Sequence, residues 1–211
     1  MSSLRQLLAS HRTALLIDAA SSRVQVGWLV ADGDARWATS DDESGVGVFR
    51  CIESLRVDLA DVAAFLFCEG PGSILGVRTS AMALRTWNVQ KHRPVFAYSS
   101  LSLVAHALGR PDVGVIADAR RESWHHFRLG ETLRRVATAG LSGALVMPEH
   151  FRHWSATPAG VQIVPYSVAD MLSRTGDADL FHETAAPDAF LHEEPSYVKW
   201  TPQIHRAPAS T

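Results

Sequence analysis

From Thr13 the chain alternates short apolar runs with turn residues, in "TALLIDAASSRVQVGWLVADGDARWATS". The pattern predicts three strands, Ala14 to Asp18, Val24 to Val30 and Ala35 to Thr39, joined as an antiparallel meander. Asp32-Gly33-Asp34 supplies hairpin chemistry, because glycine reaches positive φ without steric cost and the aspartates bond nearby amides. Val48, Ile52 and Leu55 then recur at the spacing of one helical face, behind an acidic start at Asp41, Asp42 and Glu43 that suits a helix N-terminus. "VAAFLFC", residues 62–68, is apolar throughout, as in a strand covered on both faces. Beyond it Val77, Ala81, Leu84 and Trp87 form one helical stripe, while Met82 and Val89 lie roughly opposite. Two apolar faces call for two neighbours: the protein's own sheet, and either another core element or a partner helix.

"PVFAYSS" reads as a strand and "LSLVAHAL" as a short helix capped by Ser99 or Ser100. From Val113 the pattern repeats in kind. "VGVIADARR", "ESWHHFRL" and "ETLRRVAT" read as strand, strand and strand, followed by "ALVMP", a helix through "PEHFRHW", a strand "GVQIVP" and a helix from Ser167 to Arg174. The tail "EEPSYVKWTPQIHRAP" carries three prolines among polar residues and is expected to lie extended on the surface. Two halves of this kind predict two similar α/β lobes, residues 1–109 and 110–211, with a joint at Gly109-Arg110-Pro111-Asp112. Duplicated lobes of this sort are the architecture of the actin, Hsp70 and sugar-kinase class.

The composition, 46% hydrophobic and 20% charged over 211 residues, is that of a folded chain. With a net charge of −2 and only Lys91 and Lys199 as lysines, the chain lacks the basic excess of a protein that grips nucleic acid alone. Any contact with RNA is expected to be shared with a partner. The densest basic spots, Arg120-Arg121 and Arg134-Arg135, read as solvated surface. Cys51 and Cys68 form no C-x-x-C pair, which argues against a zinc knuckle and for a reducing compartment. The N-terminus has no long apolar stretch, since Ala14 to Ile17 is closed by Asp18, so the expected setting is cytoplasmic with no membrane contact.

The stretch "CEGPGSILGVRTSAMALRTW" packs glycines ahead of a helix, as phosphate loops do. It holds no lysine, misses the G-x-G-x-x-G spacing, and loses one N–H to Pro71. A tight turn is the more economical reading: Pro71 presets φ, Gly72 takes the conformation that follows, Ser73 caps, and Gly76 lets the helix start close against the strand.

Gly70, Pro71, Gly72 and Ser73, with Gly76 and Arg78 behind them, resemble the G-P-G-S-F-T-G-[LI]-R signature of the TsaB (YeaZ) family, the glycoprotease-like proteins of bacterial tRNA modification. "LLIDAASSRVQVGWL", "YSSLSLVA", "IADARRESWHHF" and "EEPSYVKW" resemble further segments of that family in order, over nearly all of residues 13–200. Ile74-Leu75 stand where Phe-Thr is usual, Cys68 and Glu69 occupy the approach to the loop, and Arg85 stands where lysine is frequent.

The resemblance implies an α/β fold of the two-lobed actin-like ATPase kind (ASKHA, ribonuclease H-like), with mixed sheets flanked by helices. It implies an inactive homologue that serves as a scaffold subunit in threonylcarbamoyl transfer to the adenosine beside the tRNA anticodon. Its implied partners are a TsaD-like catalytic paralogue and a TsaE-like ATPase, with tRNA met only indirectly and a homodimer when the chain is alone. The two first-lobe helices would meet the paralogue through Val48, Ile52, Met82, Arg85 and Val89.

Loss of catalysis agrees with the residues. The paralogue's metal helix carries H-x-E-x-H, and no H-x-x-x-H occurs here. His150 and His153 are three apart without a placed acidic ligand, and His125 and His126 point opposite ways on a strand. "DAASSR" and "ADARR" lack the glycines of nucleotide phosphate turns, so no cofactor is expected. The enzyme alternative is a small nucleotide-dependent ATPase or kinase working through Asp18, Ser73 and Asp118 at an interlobe cleft. A peptidase would need a G-x-S-x-G elbow or a zinc motif, and neither is present.

Overall fold

The computed structural model describes residues 1–190. Helix α1 (Leu4–His11) begins on a capping box of Ser3 and Gln6. The apolar runs then form β1 (Thr13–Asp18) and β2 (Val24–Val30), antiparallel with Leu15 opposite Trp28, and β3 (Arg36–Ser40) completes the meander. Helix α2 (Ser44–Ser54) leads to β4 (Ala64–Gly70), which lies parallel to β1. Helix α3 (Ile74–Gln90) crosses to β5 (Val95–Ser99), parallel to β4. These crossovers bury the central strands, and Leu15, Leu16, Ile17, Phe65, Leu66 and Phe67 keep no exposed surface.

Helix α4 (Ser100–Leu108) stops at Gly109, whose φ of 63° is left-handed. A second meander follows in β6 (Val113–Asp118), β7 (Ser123–Phe127) and β8 (Arg134–Ala137). Strand β9 (Ala144–Pro148) runs parallel to β6, and β10 (Gln162–Val164) parallel to β9. Helix α5 (Val168–Thr175) packs on α4, and β11 (His182–Glu183) returns to the first sheet beside β5. The sheets therefore trace one path twice, in the orders β5-β4-β1-β2-β3 and β10-β9-β6-β7-β8. Helix α4 packs on strands of both.

The helices are not duplicated. Where α2 and α3 follow β3 and β4, the second sheet has a one-turn helix at Thr138–Gly140 and an irregular path over residues 149–161. The helix expected through "PEHFRHW" does not form. His150 takes φ 65°, Phe151 turns inward edge-on to Tyr166, and the amides of Trp154 and Ser155 donate to Asp118 instead of to helix carbonyls. His150 and His153 thus share no helix face. Helix α1 carried too short an apolar pattern to be expected, since it buries only Leu7. No helix among the described residues is long and apolar enough to cross a membrane, and the tail segment "EEPSYVKW" lies outside the described residues.

Candidate functional site

The turn between β4 and α3 packs directly on the turn between β1 and β2. The Ser73 N–H donates to the Ala20 carbonyl at 2.7 Å. A Cβ on Gly72 would stand 2.3 Å from the Ala20 oxygen, and one on Gly76 would stand 2.0 Å from the Ala19 oxygen, so neither turn can approach the other with a larger residue. Ser73 caps α3 by accepting the Gly76 N–H at 3.2 Å. Ser100 donates its hydroxyl to the Pro71 carbonyl at 2.6 Å, which joins the "GPGS" and "YSSL" segments into one structure. The amides of Ser73 and Gly76, the kind a phosphate cradle would use, bond within the chain.

Asp18 ends β1 and is fully buried. Its Oδ2 accepts hydroxyls from Tyr98 at 2.5 Å and Tyr166 at 2.7 Å, and its Oδ1 accepts the Ala20 N–H at 3.0 Å. Burial pushes the carboxyl pKa up, against the opposite pull of these donors. Burial, followed by the nearby Asp18 charge, also drives Tyr98, Tyr166 and the Cys68 thiol well above their ordinary ranges. Tyr98 comes from β5, whereas Tyr166 lies between β10 and α5, and Gln25 of β2 fixes that segment by donating to the Tyr166 carbonyl at 3.0 Å and accepting the Val168 N–H at 2.9 Å. The Asp18 carboxyl thus ties the first sheet to the segment between β10 and α5.

Asp118 is the counterpart of Asp18, at the end of the first strand of the second sheet. It accepts amides from Arg120, Trp154 and Ser155. Partial burial pushes its carboxyl up, but these amides prevail and hold it below the ordinary carboxylate range. A cavity of about 370 Å³ opens between the β1–β2 turn and the starts of α2 and α3, with Ser22, Asp42, Ser44, Ser73 and Arg152 in its wall. Among the described residues no group of His, Cys, Asp and Glu is placed to hold a metal.

Helices α2 and α3 carry the largest exposed apolar surface. Val48 and Ile52, expected on the partner face, turn into the core at 0% and 9% exposure, and Val46 and Phe49 take the outward positions. On α3 the stripe Val77, Ala81 and Leu84 is buried, while Met82 is 59% and Val89 87% exposed. The second apolar face of α3 is therefore not a core face. Six of the nine large apolar side chains exposed among the described residues lie on these two helices, including Ile74 and Leu75.

A family model described as TsaD, tRNA N6-adenosine threonylcarbamoyltransferase, matches residues 46–144, from α2 to the start of β9. The solved structure of YeaZ from Pseudomonas aeruginosa superposes with a TM-score of 0.61 at 19% identity, covering 85% of this chain and 99% of that one. Somewhat under half of the chain is thus similar to the TsaD family model, and the chain has the fold of the YeaZ structure. A second solved structure, of an uncharacterized protein with similarity to peptidase YeaZ from Pseudomonas aeruginosa, gives a TM-score of 0.58 at 20% identity over 78% of this chain and 90% of that one. No curated protein sequence matches. The resemblance to the TsaB (YeaZ) family and the actin-like, ASKHA fold class read from the sequence are borne out.

Arg78 and Arg85 of α3 both reach Asp188, at 3.8 and 3.4 Å. The Phe190 N–H donates to the Glu69 carbonyl at 2.7 Å, so the segment that follows β11 passes the start of α3. Phe49, Tyr98, Tyr166, Gln25 and Asp188 were not singled out from the sequence. Only Phe49 left a signal there, as an apolar residue one turn from Val46. Cys51 and Cys68 are both buried, with thiols pushed up first by burial. Neither is expected to react with a thiol reagent at neutral pH in the native protein, whereas the urea-unfolded chain should titrate both; rapid native labelling would contradict that burial.

Proposed function

We propose that this chain is a non-catalytic scaffold subunit that binds a TsaD-like paralogue and so supports threonylcarbamoyl transfer to the adenosine beside the tRNA anticodon. The observation that carries the reading is the exposed apolar face of α2 and α3, formed by Val46, Phe49, Ile74, Leu75, Met82 and Val89. Surface of this kind is costly to leave in water and is suited to a partner helix pair. The family match supports a TsaB-like protein associated with tRNA modification. In this reading a TsaE-like ATPase joins the complex, tRNA is met through the paralogue, and the same face pairs with its own copy when the paralogue is absent.

The ATPase or kinase alternative draws no support from its three residues. Asp18 and Asp118 are both bonded to the protein's own donors, and Ser73 caps α3. The test is size-exclusion chromatography of the chain mixed with the TsaD-like paralogue of the same genome. The parent chain is expected to form a complex, and Met82→Glu to weaken it about tenfold or more by placing a charge in an apolar contact, without changing the circular dichroism of an exposed position. Absence of a complex with the parent chain would overturn the scaffold reading.

A further inference from the structure

Arg134, one half of the Arg134-Arg135 pair that reads as surface in the sequence, belongs to a built pocket in the second sheet, whereas Arg135 turns to the other face and donates to the Ser123 hydroxyl. Alternation along β7 puts Trp124 and His126 on one face, and Arg128 continues that spacing just beyond the strand. Arg134 of β8 lies directly opposite His126, and Val136 opposite Trp124. Ile116, Trp124, Leu145 and Met147 form a small apolar cluster there under Leu141 and Val161. Beside it opens a cavity of about 150 Å³ lined by His126, Arg128, Arg134 and Ser142.

The polar groups of this pocket are short of acceptors. Arg128 donates from Nη2 to the Ser142 carbonyl at 2.8 Å, but its Nε is buried and finds no partner among the described residues. The His126 side chain, only 4% exposed as a residue, likewise leaves Nδ1 without a partner among the described residues. Such groups are rare in folded proteins, and a bound water or ion is one way to satisfy them. Of the charged groups at the site, Arg128 and Arg134 are positive; Glu131 is bonded to Arg134 at 3.0 Å, and Asp112 lies near enough to Arg128 to feel its charge.

We propose that this pocket binds a single tetrahedral oxyanion, phosphate or the terminal phosphate of a phosphate monoester, held by Arg128, Arg134 and His126. Its volume is below the roughly 300–1,000 Å³ of pockets that enclose whole drug-sized ligands, so only the phosphate group enters and any larger remainder stays outside. Guanidinium forks suit that geometry. Without the anion, burial and then Arg128 and Arg134 push the His126 pKa down, so the imidazole is neutral at pH 7. A bound dianion reverses that field and draws a proton onto it.

The test follows the His126 ring resonances by NMR in the full chain during titration with inorganic phosphate, with sodium chloride at matched ionic strength as the control. The expected result is a saturable shift with phosphate alone, a rise in the His126 titration midpoint, and a higher melting temperature. Arg134→Gln, at an exposed rim position that leaves the fold intact, is expected to weaken binding about tenfold, as loss of one charged hydrogen-bond partner does. Arg128→Gln is expected to do the same. A ribonucleotide trimer with a 5′-phosphate that displaces inorganic phosphate, where the unphosphorylated trimer does not, would assign the site to a terminal phosphate; failure of both trimers to compete would assign it to the free ion. A shift reproduced by chloride, no saturable shift, or unchanged affinity in Arg134→Gln would overturn the proposal.

Discussion

Replacing Gly76 by alanine is expected to destabilise the protein by about 3 kcal/mol or more, one of the largest effects of any single methyl group in this chain. The added carbon would stand 2.0 Å from the Ala19 carbonyl oxygen; its position is fixed by the α3 backbone and the oxygen is itself a backbone atom, so neither can rotate away. To relieve the overlap, the start of α3 must part from the β1–β2 turn, which also breaks the 2.7 Å bond from the Ser73 amide to Ala20. For a chain of this size the loss corresponds to a melting temperature lower by roughly 6–12 °C, measurable by circular dichroism. Gly45 on α2 is the matched control. It has open space around its Cβ position, so alanine there should be neutral or stabilising by about 0.5–1 kcal/mol. Equal melting temperatures for the two variants would mean that the loop does not hold the two turns together.

Asp18→Ala is expected to cost about 3–5 kcal/mol, because it strands the Tyr98 and Tyr166 hydroxyls and the Ala20 amide in the core and leaves a cavity. Asp18→Asn keeps the shape and one acceptor and should cost less, with a characteristic dependence on pH. Burial raises the carboxyl pKa of the folded state above the ordinary 3.8, so the folded protein holds this proton more tightly than the unfolded chain does. The parent protein therefore loses stability from this group as pH climbs from about 4 through the folded-state value, whereas asparagine has no charge to bury. The stability gap between parent and Asp18→Asn should be widest in acid and narrow as pH rises, read from urea midpoints over a pH series. A gap that widens with pH would mean that the tyrosine hydroxyls outweigh burial and hold the carboxylate charged.

The same contacts show where reading the chain succeeds and where it stops. The two meanders were legible because alternation, and the Asp32-Gly33-Asp34 hairpin of the first, are signals contained within a few residues. The glycine loop was legible as a turn, since missing lysine and missing N–H groups are facts of composition. The partner face was legible only in part. Helix α2 has apolar residues at 46, 48, 49 and 52, enough for two overlapping stripes, and nothing local says that Val48 and Ile52 take the sheet while Val46 and Phe49 take the solvent.

Beyond that range, pairing decides. Tyr98 and Tyr166 meet one oxygen of Asp18 from 80 and 148 residues away, and His126 meets Arg134 because β7 and β8 settle in one register of several that alternation would allow. The missing helix at "PEHFRHW" has the same origin: its amides found a better acceptor in Asp118, more than thirty residues back. The sequence by itself determined which segments become strands and helices and where they turn, since φ, ψ and side-chain period are local properties. Tertiary structure alone decided which face of each element is buried and which distant polar groups share an acceptor, because burial and hydrogen-bond partnership depend on elements that the chain brings together only when folded.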